Sequence, residues 1–458
     1  MNNSGIYVGL DIGTTSIKAI VCENVKGQLN VVGVGSEQSA GLNRGIIVDI
    51  DKTAAAIKKA VAQAQEKSNV TIEEVVVGIP ANLLKIEKSR GMITIADQSQ
   101  AREINDQDVV NVAKEAIMQS LPPEREIIDL KADEFIVDGF NDIRDPRGMV
   151  GVRLELHATL YTGPKTVVHN TKKALEKAGI KVKDLVVSPL AIGDTILNDG
   201  EKDFGTVVID IGGGQSTTSV IHDHRLKYSY IDPEGGQYIT KDISVVLNTS
   251  LASAERLKRD YGYANSDTVS PENTFTVDVV GQSKPVEFTE QYIAEIIQAR
   301  VEQIFERINQ KLQTINALEL PGGIVITGGV AALPGITDLA EQYFGVHVRA
   351  YVPDQMGIRH PSFTQGFALT KYEASLSEVD LLVKQTLRGT VKSQAQTNEG
   401  RRPSILKNSA KSSRAETQNG RPRQKAPEPQ RTQSKPKSDE EKPDRLASIK
   451  NFFNDFFN

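Results

Sequence analysis

Residues 207–220 read VVIDIGGGQSTTSV, and the fold turns on how they are understood. Val207, Val208, Ile209 and Ile211 form an apolar strand broken by one carboxylate, Asp210. Three consecutive glycines, Gly212, Gly213 and Gly214, then turn the chain into a second strand running from Thr217. Glycine lets another group approach the backbone closely, so this is a hairpin whose tip can wrap a phosphate with bare N–H groups. An Asp inside an apolar strand needs a partner. A magnesium phosphate suits it, because Mg²⁺ is held through one or two carboxylates and its own waters. Taken alone, the stretch is read as easily as an ordinary glycine-rich hairpin with a solvated Asp.

The amino-terminal stretch tips that balance. Residues 7–21, YVGLDIGTTSIKAIV, repeat the layout: an apolar strand, Asp11-Ile12-Gly13, the small hydroxyl residues Thr14, Thr15 and Ser16, and a second strand. Asp-Ile-Gly recurs at 210–212, and internal similarity weighs heavily in reading a fold. Two copies far apart suggest two similar halves clamping one nucleotide. In that arrangement Asp11 and Asp210 hold Mg²⁺ through water. The phosphates take donors from Gly13, Thr14, Thr15 and Ser16 and from Gly212, Gly213, Gly214, Gln215 and Ser216. Lys18 either reaches a phosphate or is a solvated strand residue. Residues 324–339, IVITGGVAALPGITDL, add a third glycine turn at Gly328-Gly329, followed by a helix expected to start after Pro334. A helix N-terminus beside a glycine pair suits the sugar and base of a nucleotide.

On these three motifs the sequence resembles the actin-like ATPases, the superfamily of actin, hexokinases and heat-shock chaperones. Residues 41–49 (GLNRGIIVD), 234–242 (EGGQYITKD) and 254–258 (AERLK), with the terminal segment described below, make it similar more narrowly to the FtsA family of bacterial division proteins. The resemblance covers roughly residues 5–372 and the last dozen or so. It implies an α/β, duplicated ribonuclease H-like fold of two halves with a small α/β insertion. It also implies ATP and Mg²⁺ as cofactors, with Gly236 closing over the phosphates and Glu255 and Lys258 contacting ribose and adenine. The family further implies self-assembly into filaments, other division proteins met through the insertion, and a place on the cytoplasmic face of the membrane at the septum. Its cargo is the C-terminal tail of the tubulin-like FtsZ, docked on the second-half subdomain, where Arg300, Glu302 and Arg307 are the candidate contacts.

Two departures bear on hydrolysis. Gln215-Ser216-Thr217 stand where the family's second phosphate motif continues Gly-Gly-Gly-Thr-x-Asp, and Ser188-Pro189-Leu190-Ala191 occupy the helix start where actin has Gln and chaperones have Glu. Groups that position water or act as general base contribute about 10²–10⁴-fold, so ATP binding with slow or undetectable turnover is expected. Other readings are a different actin-like filament protein or a hexokinase-type kinase. No convincing carboxylate for a substrate hydroxyl supports the latter.

Composition agrees with a cytoplasmic, multi-domain chain. At 458 residues, 39% hydrophobic and 25% charged, it has room for two or more cores. The single cysteine, Cys22, excludes an internal disulfide. No apolar run approaches the roughly 20 residues of a spanning helix. The net charge of −5 hides an asymmetry: residues 391–443 carry thirteen Lys/Arg against six Asp/Glu, leaving the rest acidic and unsuited to nucleic acid.

Along the chain, the pattern predicts a first half over 1–81 and 163–190, with strands at 30–35 and 75–79 and a helix at 53–67. The insertion, 82–162, has strand-like runs at 91–95, 126–130, 134–137 and 152–161 and a helix at 106–120. A second-half core spans 191–240 and 319–390, and its subdomain spans 241–318 around a strongly periodic helix at 292–312. Residues 391–443 cannot bury enough apolar area to offset their ordering entropy and read as a tether. Residues 444–458 place Leu446, Ile449, Phe452, Phe453, Phe456 and Phe457 on one helical arc of about 140°. Such a stripe suits the headgroup–acyl boundary of a bilayer.

Overall fold

The computed structural model describes residues 5–95, 100–118 and 121–387; the expected tether and amphipathic segment lie outside the described residues. Strands β1 (Gly5–Ile12), β2 (Ser16–Val25) and β3 (Gln28–Gln38) form an antiparallel meander. Helix α1 (Ile50–Ser68) is capped by Asp49, whose side chain accepts from the Lys52 amide at 3.1 Å. It buries Ala54, Ile57, Ala60, Val61 and Ala64, the i, i+3, i+4 stripe of a sheet-packed helix. Gly33 and Gly35 of β3 let the α1 backbone come close, since a side chain at either would meet the carbonyls of Ala64 and Ala60. Strand β4 (Glu74–Ile79) then joins β1 in parallel.

The chain next leaves for the insertion. Strands β5 (Lys85–Thr94), β6 (Arg125–Val137), β7 (Phe140–Ile143) and β8 (Arg153–Pro164) make an antiparallel sheet in the order β7-β6-β8-β5. Helix α2 (Asp106–Ile117) lies against it, started by a capping box between Asn105 and Asp108. Val109, Val112, Ala113 and Ala116 pack with Phe135, Leu154 and Leu156 in a core of the insertion's own. The runs expected at 126–130 and 134–137 are one strand: Lys131 and Ala132 pair with Thr159 and Ala158 of β8, and a bulge takes up Asp133 without ending the pairing.

Helix α3 (Lys165–Ala178) and strand β9 (Lys181–Val187) return to the first sheet, completing the order β9-β4-β1-β2-β3. Helix α4 (Ser188–Ile196) crosses to the second half. There β10 (Thr206–Ile211), β11 (Ser216–His222) and β12 (Arg225–Asp232) repeat the meander. Helices α5 (Gly236–Val246), α6 (Leu251–Tyr261) and α7 (Glu290–Thr314) build the subdomain, with a two-stranded ribbon of Thr274–Val277 and Val286–Thr289 between the last two. Strand β13 (Ile324–Thr327) joins β10 in parallel; helix α8 (Ile336–Phe344) and strand β14 (Val348–Ala350) follow. The second sheet runs β12-β11-β10-β13-β14, the same wiring as the first, so the duplication read from Asp-Ile-Gly extends to whole sheets.

Gly328-Gly329 lead into a 3₁₀ turn, Gly329–Ala332, and α8 starts at Ile336 behind its left-handed cap Gly335, directly after Pro334 as expected. One expectation is corrected. After α9 (Thr364–Ser375), residues 376–387 do not stay with the second half. A last helix at 378–387 sends Val379 and Val383 into the insertion's core. Its Lys384 Nζ sits 2.9 Å from carboxylate oxygens of both Asp129 on β6 and Asp184 on β9.

Candidate functional site

The two hairpin tips face each other across one cleft of about 1520 Å³, between the two sheets. Gly213 packs on Thr15 and Gly214 on Thr14, so the twin tips touch. Fifteen positions picked from sequence line the cleft together: Asp11, Gly13, Thr14, Thr15, Ser16, Asp210, Gly212, Gly213, Gly214, Gln215, Gly236, Glu255, Lys258, Gly328 and Gly329. Lys18 lines it too.

Register explains the charge of the site. Asp11 stands opposite Lys18 across β1 and β2, and Lys18 Nζ lies 3.4 Å from Asp11 Oδ2. Lys18 is 7% exposed, so it is neither solvated nor free of the cleft. Gln365 Nε2 donates to the other Asp11 oxygen at 2.8 Å. In the second half the equivalent partner of Asp210 is Thr217, which brings no cation. Burial pushes the Asp11 carboxyl up, against the opposing charge of Lys18. Burial, then the charge of Asp11, raises Asp210 to about 7. Two carboxylates in one cleft share a single adjacent ammonium, an electrostatic deficit that a divalent cation would fill. Among the described residues no three His, Cys, Asp or Glu groups cluster as a metal cage. The donor set therefore fits an ion completed by phosphate and water, the habit of Mg²⁺.

The glycine turns supply the approach. Gly328 adopts φ +89°, and a side chain there would collide with Asp210 Oδ1 and the Ile211 carbonyl. Gly212 N–H closes its turn on the Gln215 carbonyl at 3.0 Å, and Gly236 and Gln237 donate to the carbonyls of Gly212 and Gly213 at 2.9 and 2.8 Å. Lys258 Nζ donates to the Gly236 carbonyl, Thr240 Oγ1 and Glu255 Oε2 at 3.0, 2.7 and 2.7 Å. Burial lowers the Lys258 pKa against the pull of Glu255. These contacts at the cleft wall set the Glu255–Lys258 pair apart from a free surface ion pair.

Two site expectations are corrected. Ser216 is fully buried and its hydroxyl donates to the Glu234 carbonyl at 2.8 Å, so it braces the hairpin and offers nothing to the cleft, where Thr217 stands instead. Alternation along a strand puts neighbours on opposite faces, a signal that could have chosen Thr217 over Ser216. Arg300 is 3% exposed and committed to Asp242 and Glu234, so its guanidinium is not offered to a partner. Arg307 is taken up by Asp232 and Glu234, and Glu302 accepts from Gln298 Nε2 at 2.9 Å. Sequence reasoning missed Gln365, which nothing in its local pattern marks. It also missed the 41–49 loop as cleft architecture: Gly45 N–H donates to Thr14 Oγ1 at 2.8 Å, and Arg44 donates to Tyr238 of the second half at 2.7 Å. Ser188 reaches the cleft with its hydroxyl buried and without a hydrogen-bond partner.

Two like-wired sheets, each presenting an Asp-Ile-Gly hairpin to a shared cleft, define the actin-like ATPase fold. Solved structures agree at the level of fold. A PilM–PilN type IV pilus biogenesis complex aligns with TM-score 0.54 and 16% identity over 81% of this chain and 99% of that chain. MreB5 of Spiroplasma citri bound to ADP aligns with TM-score 0.50 and 12% identity over 85% and 98%. The family model "Cell division protein FtsA" matches residues 207–368, and "SHS2 domain inserted in FTSA" matches residues 81–162. The cell division protein FtsA of Enterococcus hirae is 51% identical over 100% of both chains, and that of Bacillus subtilis (strain 168) is 41% identical over 81% of this chain and 84% of the relative. The chain belongs to the FtsA family of cell division proteins.

Proposed function

We propose that this division protein binds Mg·ATP in the cleft, assembles with copies of itself, and holds the FtsZ ring to the cytoplasmic membrane while meeting other division proteins through its insertion. The observation that carries the nucleotide reading is the pair Asp11 and Asp210, both raised in pKa, at the base of one glycine-walled cleft. Asp11 and Asp210 would hold Mg²⁺, which supplies charge neutralisation between the phosphates. Gly13 to Ser16 and Gly212 to Gln215 grip the phosphates from opposite sides, while Glu255, Lys258, Gly328 and Gly329 line the sugar and base end. The ADP in the MreB5 relative of similar fold supports a nucleotide here. Ser188 brings a hydroxyl where a water-positioning carboxylate or amide would be needed, so turnover is slow. A steady-state rate on the order of 10 s⁻¹, the enzyme median, would refute that part.

The membrane part rests on the sequence of 444–458. Among the described residues no helix is long and apolar enough to cross a membrane. Several amphipathic helices joined in one filament would bind through effective concentration where a single one binds reversibly. Liposome co-sedimentation of the full chain against a chain ending at Pro443 tests it: pelleting is expected only with the helix present, and equal pelleting rejects the assignment. A pull-down with an FtsZ tail peptide tests the cargo, with retention expected and its absence counting against it.

A further inference from the structure

Arg300 and Arg307 lead inward, to the phosphate hairpin. They lie two turns apart on α7, beside the apolar stripe of Ile297, Val301, Ile304 and Ile308 that fixes the helix in the core. Arg300 bonds Asp242 on α5 at 2.6 and 3.0 Å, and Arg307 bonds Asp232 at the end of β12 at 2.5 and 3.0 Å. Both guanidiniums converge on the same oxygen, Glu234 Oε2, at 2.9 and 2.6 Å. Glu234 is where this network meets the nucleotide cleft. Its carbonyl accepts the Ser216 hydroxyl, and the next residues, Gly235-Gly236-Gln237, send the Gly236 and Gln237 amides to the Gly212 and Gly213 carbonyls. A continuous run of charged and backbone hydrogen bonds thus joins α7 to the hairpin tip.

The cost of that network argues for a purpose. Asp232 and Asp242 are fully buried and Arg300 nearly so. Buried ion pairs seldom add net stability over apolar packing, and their best-attested use is to fix a particular geometry. The geometry fixed here is that of the 234–237 turn. Glycines at 212–214 and 235–236 have no side chains to hold themselves in place, so a loop of this composition needs an external brace to keep its amides aimed.

We propose that Arg300 and Arg307 are positioning residues of the nucleotide site: acting through Glu234, they hold the 234–237 turn against Gly212 and Gly213 and keep the phosphate-binding amides in place. This rests on the Mg·ATP reading above, and the experiment separates the two. Arg307 is the better probe, because its partial exposure makes substitution tolerable while Arg300 still neutralises Glu234. The full-length chain carrying Arg307→Gln is titrated with Mg·ATP and followed by hydrogen exchange without nucleotide. Mg·ATP affinity is expected to fall about tenfold, the scale of one charge-assisted hydrogen bond. Exchange at the Gly236 and Gln237 amides should rise while amides in the β1–β2 hairpin stay unchanged. Arg307→Lys, which returns the charge without the planar fork, should recover part of both. A merely structural role would loosen α7 broadly and leave no selective effect at 236–237. Wild-type affinity and wild-type exchange at 236–237 in Arg307→Gln would overturn the proposal. If the wild-type chain binds no Mg·ATP, the nucleotide reading fails by itself, and the exchange at 236–237 still decides whether the brace exists. Should Arg307→Gln not fold, Arg307→Lys carries the same two readouts.

Discussion

Replacing Lys384 with Met should unfasten the insertion from the first half. Lys384 is 2% exposed, and its ammonium is the cation between Asp129, fully buried, and Asp184, 6% exposed. Burial raises the Asp129 carboxyl above its ordinary range, against the charge of Lys384 and with that of Asp184. Met keeps the length and apolar stem and removes only the charge, leaving two adjacent carboxylates in a dry place. Removing one partner of a buried ion pair costs about 3–5 kcal/mol. At 1.4 kcal/mol per factor of ten, 3 kcal/mol lowers amide protection more than about a hundredfold. Hydrogen exchange followed by mass spectrometry should find that loss in 125–137 and 378–387, with 206–222 little changed. The sign with pH follows from the carboxyls. With the Asp129 pKa raised in the folded state, that carboxyl penalises folding above its pKa, and the penalty lifts as pH falls through it. The gap between variant and wild type should therefore narrow toward pH 4. Adding Asp129→Asn and Asp184→Asn should restore most of the protection, since a network removed whole costs far less than one left half-paired. Protection within about threefold of wild type in the single variant, set against that expected hundredfold, would refute this account of the triad.

Three further outcomes follow from the cleft. Asp210→Asn should stabilise the nucleotide-free protein at pH 8 and not at pH 4. The native carboxyl titrates near 7 against an ordinary 3.8, so the native state holds an extra proton between those values and loses stability as pH rises through them. Three units correspond to about 4 kcal/mol, and screening by cleft water brings the expected gain to about 2 kcal/mol. Denaturant titrations at the two pH values measure it, and an equal gap at both would contradict the assignment. Gly328→Ala should cost about 1–3 kcal/mol in the same titration, because φ +89° and the Asp210 carboxylate both oppose a side chain. Lys18→Met should weaken Mg·ATP binding while leaving the fold intact, as judged by calorimetry beside circular dichroism; unchanged affinity would show that Lys18 serves only Asp11.

Much of the site could be read from sequence because its chemistry is local. An Asp ending an apolar strand before small residues is a short-range pattern, and it occurs twice. What the pattern could not give was side-chain direction and long-range pairing. Ser216 and Thr217 look alike in sequence, and only the pleat decides that one faces Glu234 and the other the cleft. Arg300 and Arg307 sit on a helix whose polar side reads as solvent-facing, yet their acceptors lie 58 to 75 residues away and draw them inward. The 378–387 helix belongs to the insertion through contacts with β6 and β8, more than two hundred residues earlier, so chain order assigned it to the wrong half.

The most direct test of the central claim is calorimetric titration of Mg·ATP into the full-length chain and into its Asp11→Ala and Asp210→Ala variants. One saturable site per chain, dependent on Mg²⁺ and lost in both variants, is the result predicted. Absence of saturable binding in the wild type, or binding that survives loss of either carboxylate, would contradict it.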